Sequence, residues 1–331
     1  MDTGKSGICS KSCCKEEMHM QRYLAFDIGG TFVKYGILDS EGEILSRGKV
    51  PTEREDLVAF MGCLSDIASK ARAAEEIAGI AVSMAGVLDV KRGFAYNGGA
   101  VTAIRDYPFA GELSRHCGHL PVSIENDAKA ALLAEYWKGN LQGVANAVAF
   151  IIGTGIGGAV LANGQLLRGA HFFAGEFSYL LRETEDGERL LADWETGLGM
   201  PAFLASASRR LGIEEPLSGE AFFEYVANGD PAARACLDQY ARSLAVWLAN
   251  VCAVADPERI VIGGGVSAQP ALIEAIRTAY ASLSKEIGFG NIPVPDILPC
   301  KYFNDANLIG ALYAHLEQRK SRKNKKNKKS S

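Results

Sequence analysis

The chain has 331 residues, 48% of them hydrophobic and 22% charged, a composition typical of a globular protein with about two domains. Only 11 Pro and no Gly-X-Y period exclude a collagen-like fibre, and eight Cys in this length exclude a small disulfide-built domain. The net charge is −4, but residues 319–331 hold eight Lys or Arg and no acid. The rest of the chain, with 27 basic and 39 acidic residues, therefore carries −12.

The first twenty residues show no secretory signal, because charged residues interrupt them, and we predict that residues 1–21 form a disordered extension. Cys9, Cys13 and Cys14 lie there without partners at zinc-site spacing, which favours an unstructured segment over a metal site. Residues 139–167 are uncharged, but their seven Gly and several amides predict strands and turns rather than a membrane span. We therefore expect a cytoplasmic protein without a membrane partner.

The ordered part is predicted to begin with strands separated by turns that contain Gly. A buried strand over Tyr23–Ile28 leads through the turn Gly29-Gly30-Thr31 into two further strands that end near Val50. Helices and strands then alternate, with elements predicted over residues 56–74, 77–84, 121–125 and 128–137.

The same order of elements starts again in the second half. A strand over 148–152 is followed by the turn Gly153-Thr154-Gly155 and by a hairpin at Asn163-Gly164, and Phe26–Gly29 aligns with Phe150–Gly153. Two copies of one strand pattern indicate an internal duplication, so we expect two α/β halves that face one cleft. The later elements are predicted over residues 219–227, 231–255, 259–262, 270–284, 296–298 and 305–316.

Three glycine clusters are candidate nucleotide-binding elements. Residues 153–158 fit the pattern G-x-G-x-x-G, but a hairpin follows them, whereas a dinucleotide site requires a helix there. The turns 29–31 and 153–155 instead offer backbone N–H groups that can hold a polyphosphate from opposite sides. The cluster 263–265 lies between a strand and a helix, where an adenosine could bind.

Five motifs occur in the order and spacing of the ROK family of sugar kinases and sugar-sensing repressors: Phe26–Thr31, Ile124–Ala128, Ile152–Gly158, Ala174–Glu176 and Ile260–Gly265. The chain resembles this family from Tyr23 to about Leu316. The resemblance implies an α/β fold with two actin/hexokinase-like (ribonuclease H-like) domains around a central cleft. The implied regions are an N-terminal domain over 22–125 with the terminal helix 305–318, a C-terminal domain over 126–304, and a basic disordered tail over 319–331.

The resemblance also implies an enzyme that transfers the γ-phosphoryl group of ATP to a hydroxyl, usually C6, of a hexose, hexosamine or β-glucoside. Asp127 matches the family's catalytic base; the alternative is that it only caps the helix that follows. Asp27 matches the residue that orients Mg²⁺–ATP through water. The implied sugar-binding residues are Asn97, Asn126, Asp127, Glu176, Tyr179 and Glu195. The implied ATP-binding residues are Gly29, Gly30, Thr31, Gly153, Thr154, Gly155, Gly264 and Gly265.

Two departures from the family pattern bear on metal and substrate. Tyr179 stands where the family has a histidine that binds both the sugar and a zinc module, and no Cys occurs from 118 to 235. A four-ligand zinc site cannot form in that segment, so we predict none. Members that carry Gly175-Glu-Phe-Ser178 resemble the branch of β-glucoside kinases, which argues against a plain glucokinase.

A sugar-sensing regulator without kinase activity is the alternative function. ROK repressors carry a helix-turn-helix domain before the first strand, and the 22 residues ahead of Tyr23 are too few for it, so we expect the enzyme. A Lys/Asn-rich tail is usually a solvated chain end, so we expect no nucleic-acid partner. The expected partners are a small-molecule sugar and, by resemblance to the family, a second copy of the chain in a homodimer.

Overall fold

The computed structural model describes residues 20–183, 189–191, 198–288 and 291–330. Each half is built on a five-stranded mixed sheet and has its own apolar core. The first half contains β1 (Arg22–Ile28), β2 (Phe32–Asp39), β3 (Ile44–Pro51), α1 (Leu57–Ala74), β4 (Ile77–Met84), β5 (Leu88–Asp89), β6 (Phe94–Asn97), β7 (Arg105–Tyr107), α2 (Phe109–His116) and β8 (Val122–Asn126).

The second half begins after the connecting helix α3 (Asp127–Lys138). Its elements are β9 (Ala147–Ile152), β10 (Ile156–Ala162), β11 (Gln165–Leu166), β12 (Leu181–Glu183), β13 (Arg189–Leu191), α4 (Met200–Arg210), α5 (Gly219–Ala227), α6 (Pro231–Ala255), β14 (Arg259–Gly263), α7 (Pro270–Glu286) and β15 (Asp296–Pro299). The final helix is α8 (Ala306–Ser330).

The two large sheets have the same strand order and the same strand directions. The first sheet runs β3-β2-β1-β4-β8 and the second runs β11-β10-β9-β14-β15. In each, the first three strands along the chain pair antiparallel and the other two extend the sheet in parallel. This repeat confirms the duplication that was predicted from the two strand–turn–strand patterns.

Helices α3 and α8 connect the two halves by crossing over between them. The first, α3, follows β8 of the first sheet but packs against β9 and β10 of the second. The last, α8, follows β15 of the second sheet but packs against β1, β4 and β8 of the first. Where α3 and α8 meet, a Cβ on Gly310 would lie 1.7 Å from the carbonyl oxygen of Ala130, so only glycine allows this approach.

The structure differs from the sequence-based expectations in two places. Helix α8 continues to Ser330, whereas we expected disorder from residue 319; Lys and Arg are favourable helix formers, and Arg319 donates a hydrogen bond to the carbonyl of Ala78. The strands β5, β6, β7, β12 and β13 were not predicted, because these strands are too brief for a clear period, and the helices α2 and α4 were also missed. Within the described ranges, no helix combines the length and apolarity needed to cross a bilayer.

Candidate active site

The parallel strands of the first sheet end in a row of polar residues. Asp27 on β1 lies in register with Ser83 on β4, and Ser83 lies in register with Glu125 on β8. Neighbours in register point to the same face, which here is the face that α8 covers. Asp127 follows directly as the first residue of α3. Ligands in α/β sheets bind at the carboxyl ends of the parallel strands, so this edge is the candidate active site.

Asp27 is a buried carboxylate with one oxygen held by the last helix. The amide nitrogen Nδ2 of Asn307 donates to its Oδ1 at 2.9 Å, and the ammonium of Lys34 lies 3.7 Å from its Oδ2. Burial raises the pKa of Asp27, while Asn307 and Lys34 lower it and the nearby charge of Asp127 raises it further. Asp127 is therefore close enough to act on Asp27 electrostatically. The sequence did not reveal the role of Asn307, since 280 residues separate it from Asp27.

Asp127 stands at the N-terminus of α3 without being its cap. The cap is Asn126, whose side chain accepts a hydrogen bond from the backbone N–H of Lys129 at 3.1 Å. The Oδ1 of Asp127 accepts from the N–H of Ala128 at 2.8 Å. Burial raises the pKa of Asp127, and the helix N–H and the charge of Lys129 oppose this rise. Among the described residues, no Lys, Arg or His forms an ion pair with Asp127.

The amide of Asn126 is occupied by the protein at both ends. Its oxygen caps α3, and its nitrogen donates to the carbonyl of Gly86 at 3.3 Å. Gly86 in turn lies against Asn97, because a Cβ there would approach the Asn97 carbonyl oxygen to 2.3 Å. The structure thus connects Asn97 with Asn126 through one backbone segment, and their contacts with a sugar stay predictions.

Glu176 is held by a buried lysine that was not predicted. The Nζ of Lys129 lies 2.7 Å from Oε1 of Glu176, and the lysine side chain is only 3% exposed. Burial raises the pKa of Glu176, Lys129 lowers it, and the charge of Asp127 raises it. A lysine among the alanines and leucines of α3 was the available signal, since a buried ammonium needs an anionic partner.

A second ion pair joins the two halves beside this site. Glu125, 1% exposed on β8, pairs with Arg168 in the loop after β11 through contacts of 2.7 Å to Oε1 and 2.6 Å to Oε2. The backbone N–H of Asn126 also donates to Oε1. The pair fixes the loop that carries Glu176 against the first sheet. A glutamate inside a buried strand was the signal that sequence reasoning missed.

The other predicted sugar residues lie nearer the surface. Asn97 ends β6 and lines a cavity of about 270 Å³, and its Oδ1 accepts from the backbone N–H groups of Val87 and Gly99. Tyr179 is 58% exposed and ends the helical turn that follows Glu176. Glu195 lies outside the described residues.

The glycine turns predicted to bind ATP are tight and locally braced. In the first turn the Gly29 carbonyl accepts from the hydroxyl of Thr52 at 2.7 Å. In the second the Gly153 carbonyl accepts from the N–H of Met200 at 2.9 Å. Within the described chain, the N–H groups of Thr154 and Gly155 have no protein acceptor, and no atom lies within 4 Å of where a Cβ on Gly155 would stand. Such free N–H groups suit phosphate oxygens.

The third glycine cluster lies beside the second turn. Strand β14 pairs with β9, which places Gly263 next to Ile151. Gly264 has φ +88°, and a Cβ there would lie 1.9 Å from the carbonyl oxygen of Ile152. Only glycine fits this position, so the backbone near Gly265 can approach a ligand that rests on the Gly153 turn.

Among the described residues, no group of three or more His, Cys, Asp or Glu could hold a metal ion. The absence of zinc stays a prediction, because residues 184–188 and 192–197, where the family carries its zinc segment, lie outside the described part of the chain.

Comparison with known proteins assigns the chain to a family. The ROK family profile matches residues 23–318. The β-glucoside kinase of Klebsiella pneumoniae is 33% identical over 300 residues, which cover 89% of this chain and 95% of that protein.

Two crystal structures confirm the predicted α/β fold class. A ROK family protein of Streptococcus pneumoniae TIGR4 in complex with sucrose has a TM-score of 0.78 at 29% identity, covering 91% of this chain and all of that one. A ROK family glucokinase of Streptomyces griseus, in complex with glucose and AMPPNP, has a TM-score of 0.76 at 27% identity, covering 88% and 98%. The chain therefore belongs to the ROK family.

Proposed function

We propose that this chain transfers the γ-phosphoryl group of ATP to the C6 hydroxyl of a glucose unit in a β-glucoside, with Asp127 as the general base. The chain is an ATP-dependent carbohydrate kinase, as its family and its kinase relatives indicate. The choice of a β-glucoside rests on the 33% identity to a β-glucoside kinase and on the segment Gly175–Ser178. The regulator alternative has less support.

The observation that supports the mechanism best is that Asp127 lies at the site without an ion-pair partner among the described residues. Its carboxylate lies at a helix N-terminus, and its charge raises the pKa of both Asp27 and Glu176. The other described acids of the site each have a cationic partner, whereas Asp127 forms no ion pair with a described residue. Burial raises its pKa, which strengthens it as an acceptor for the hydroxyl proton while the helix N–H keeps the ionised form accessible. A base of this kind must lie within hydrogen-bond reach of the attacking oxygen.

The residues around Asp127 divide the remaining tasks. Glu176, oriented by Lys129, would accept hydrogen bonds from sugar hydroxyls, and we propose that Asn97, Asn126, Tyr179 and Glu195 also contact the sugar. The free N–H groups of the second glycine turn would bind phosphate oxygens, together with the first turn. Because Gly264 lies so close to the backbone of Ile152, the backbone near Gly265 would be able to approach the nucleotide.

Magnesium is the metal that these donors suit. Asp27 presents a carboxylate oxygen at the edge of the site, and hard oxygen donors with retained water are the coordination that Mg²⁺ prefers. Bound there with ATP, Mg²⁺ would neutralise charge on the phosphates. Asp27 would hold it through water, and Asn307 would fix the orientation of Asp27.

We further propose a homodimer in the cytoplasm. The described cysteines, Cys63, Cys117, Cys236, Cys252 and Cys300, are free thiols, which is in keeping with a reducing compartment. Sedimentation velocity would test the dimer.

The test of the mechanism is Asp127→Asn, with Asp66→Asn on the exposed face of α1 as the matched control. We expect kcat to fall about 1000-fold in Asp127→Asn, because the base is lost, while folding and sugar affinity persist. ADP release is measured with glucose, N-acetylmannosamine, fructose, cellobiose and gentiobiose, and sugar affinity by calorimetry. Turnover near that of the Asp66→Asn control would refute the assignment of the base.

A further inference from the structure

Four aromatic side chains lie together where the two halves meet. Tyr96 on β6 of the first half and Phe172 in the 168–176 loop of the second have ring centroids 6.5 Å apart and planes at 31°. Phe173 and Tyr179 have centroids 4.9 Å apart and planes at 55°. Phe172 and Phe173 are consecutive, so adjacent residues of one loop join the two pairs, and we call these four side chains the aromatic rim.

The aromatic rim is exposed to solvent, and one of its residues has a strained backbone conformation. Tyr96, Phe173 and Tyr179 are 40%, 45% and 58% exposed. Phe172 has φ +60°, a left-handed conformation that is unfavourable for a bulky side chain. Backbone strain of this kind occurs mainly at functional sites, and grouped exposed aromatics indicate a binding surface. Folding alone gives no reason for either feature.

The rim is continuous with the sugar site. Tyr96 directly precedes Asn97, and both line the same cavity. The backbone N–H of Glu176 donates to the carbonyl of Phe173 at 3.3 Å, and the N–H of Tyr179 donates to the carbonyl of Glu176 at 3.1 Å. The turns that position the predicted sugar residues therefore also present the aromatic rings.

We propose that the aromatic rim is a subsite for the second pyranose ring of a β-linked disaccharide, whose terminal glucose occupies the site of Asp127 and Glu176. This inference rests on the proposed function. All hydroxyls of β-glucopyranose are equatorial, so both faces of its ring present C–H groups. These weakly positive faces match the negative faces of aromatic rings, and a few polar groups beside them fix the orientation.

The test compares disaccharide with monosaccharide in Phe173→Ala and Tyr96→Ala. We expect the ratio of kcat/KM for gentiobiose or cellobiose to kcat/KM for glucose to fall about tenfold in Phe173→Ala, mainly through KM. Tyr96→Ala should lower the same ratio. The control is Tyr225→Ala, 39% exposed on α5 and far along the chain from the rim, which should leave the ratio unchanged.

Three results would overturn the subsite. One is an equal loss of kcat/KM for glucose and for the disaccharides, which would make the rim a general support of the site. Another is a wild-type protein that binds glucose but neither disaccharide in calorimetry without ATP. The third is a Phe173→Ala variant with an unchanged ratio and weaker self-association by sedimentation, which would assign the rim to a second copy. If the wild type phosphorylates no sugar but binds gentiobiose through Phe173, the proposed function fails and the subsite stands.

Discussion

The two sheets share one strand order, yet the row of residues at the carboxyl ends of their three parallel strands has opposite chemistry in each. In the first sheet this row is Asp27, Ser83 and Glu125, and in the second it is Ile151, Gly263 and Cys300, which directly follows β15. The motif alignment already places Ile151 opposite Asp27. The duplicated backbone thus supplies carboxylates from one copy and close backbone approach from the other.

The row of the first sheet, which we call the polar row, needs hydrogen-bond or ion-pair partners, whereas the row of the second sheet does not. Asp27 is held by Asn307 and Lys34, and Glu125 by Arg168, since a buried carboxylate without compensation is strongly destabilising. In the second sheet, neighbouring side chains fill the space over Gly263, where a Cβ would lie 2.3 Å from Cδ1 of Ile151 and 3.1 Å from Sγ of Cys300. Packing alone satisfies that row.

Among the tests of this comparison, the largest expected effect comes from removing the partner of Glu125. Arg168→Met should lower the free energy of unfolding by about 3 kcal/mol, because it leaves a buried carboxylate unpaired. Adding Glu125→Gln should recover part of this loss by removing the charge. Denaturant unfolding measures both, with Arg209→Met on the exposed end of α4 as the control. A loss no greater than that of the control would mean that the pair does not support the polar row.

The next prediction tests the proposed role of Asp27 in holding Mg²⁺. Asp27→Asn should lower kcat/KM for Mg·ATP about 30-fold, or roughly 2 kcal/mol, because a neutral amide is a weaker acceptor for metal-bound water. The matched variant in the second sheet, Ile151→Val, should change kcat/KM by less than about threefold. Titration with Mg²⁺ at fixed ATP measures the response. A change confined to the KM for sugar would contradict this role and would indicate that Asp27 contacts the sugar rather than Mg·ATP.

The smallest effect concerns pH. Burial raises the pKa of Glu176 and Lys129 opposes that rise, so Lys129→Met should raise this pKa further. The carboxylate is lost as pH falls through its pKa, and with it the acceptor for sugar hydroxyls. We expect the sugar KM of Lys129→Met to rise about tenfold as the pH falls, beginning at a higher pH than in the wild type, while Lys129→Arg keeps the wild-type profile. Parallel profiles for all three proteins would contradict this role of Lys129.

Elements that depend on nearby residues could be predicted from the sequence. Helix α5 has its predicted bounds, and the side chain of Ser218 caps it by accepting from the N–H of Ala221; Pro231 begins α6 as expected. Strand β4 has its predicted bounds, because a largely apolar run of this length between Glu76 and the glycine turn at Gly86 is typical of a buried strand. The glycine turns, the duplication and the ROK motifs follow in the same way from short stretches of sequence.

By itself the sequence determined the family, the α/β class and the candidate acids Asp27, Asp127 and Glu176, because motif spacing records local backbone requirements. Only the tertiary structure decided which groups compensate those acids, and which aromatic rings meet across the two halves. Lys129 lies 47 residues from Glu176, Arg168 lies 43 from Glu125 and Asn307 lies 280 from Asp27. A buried charge is compensated by a group that lies near it in space, whatever their separation along the chain. The crossing of α3 and α8 between the two halves brings such distant groups together.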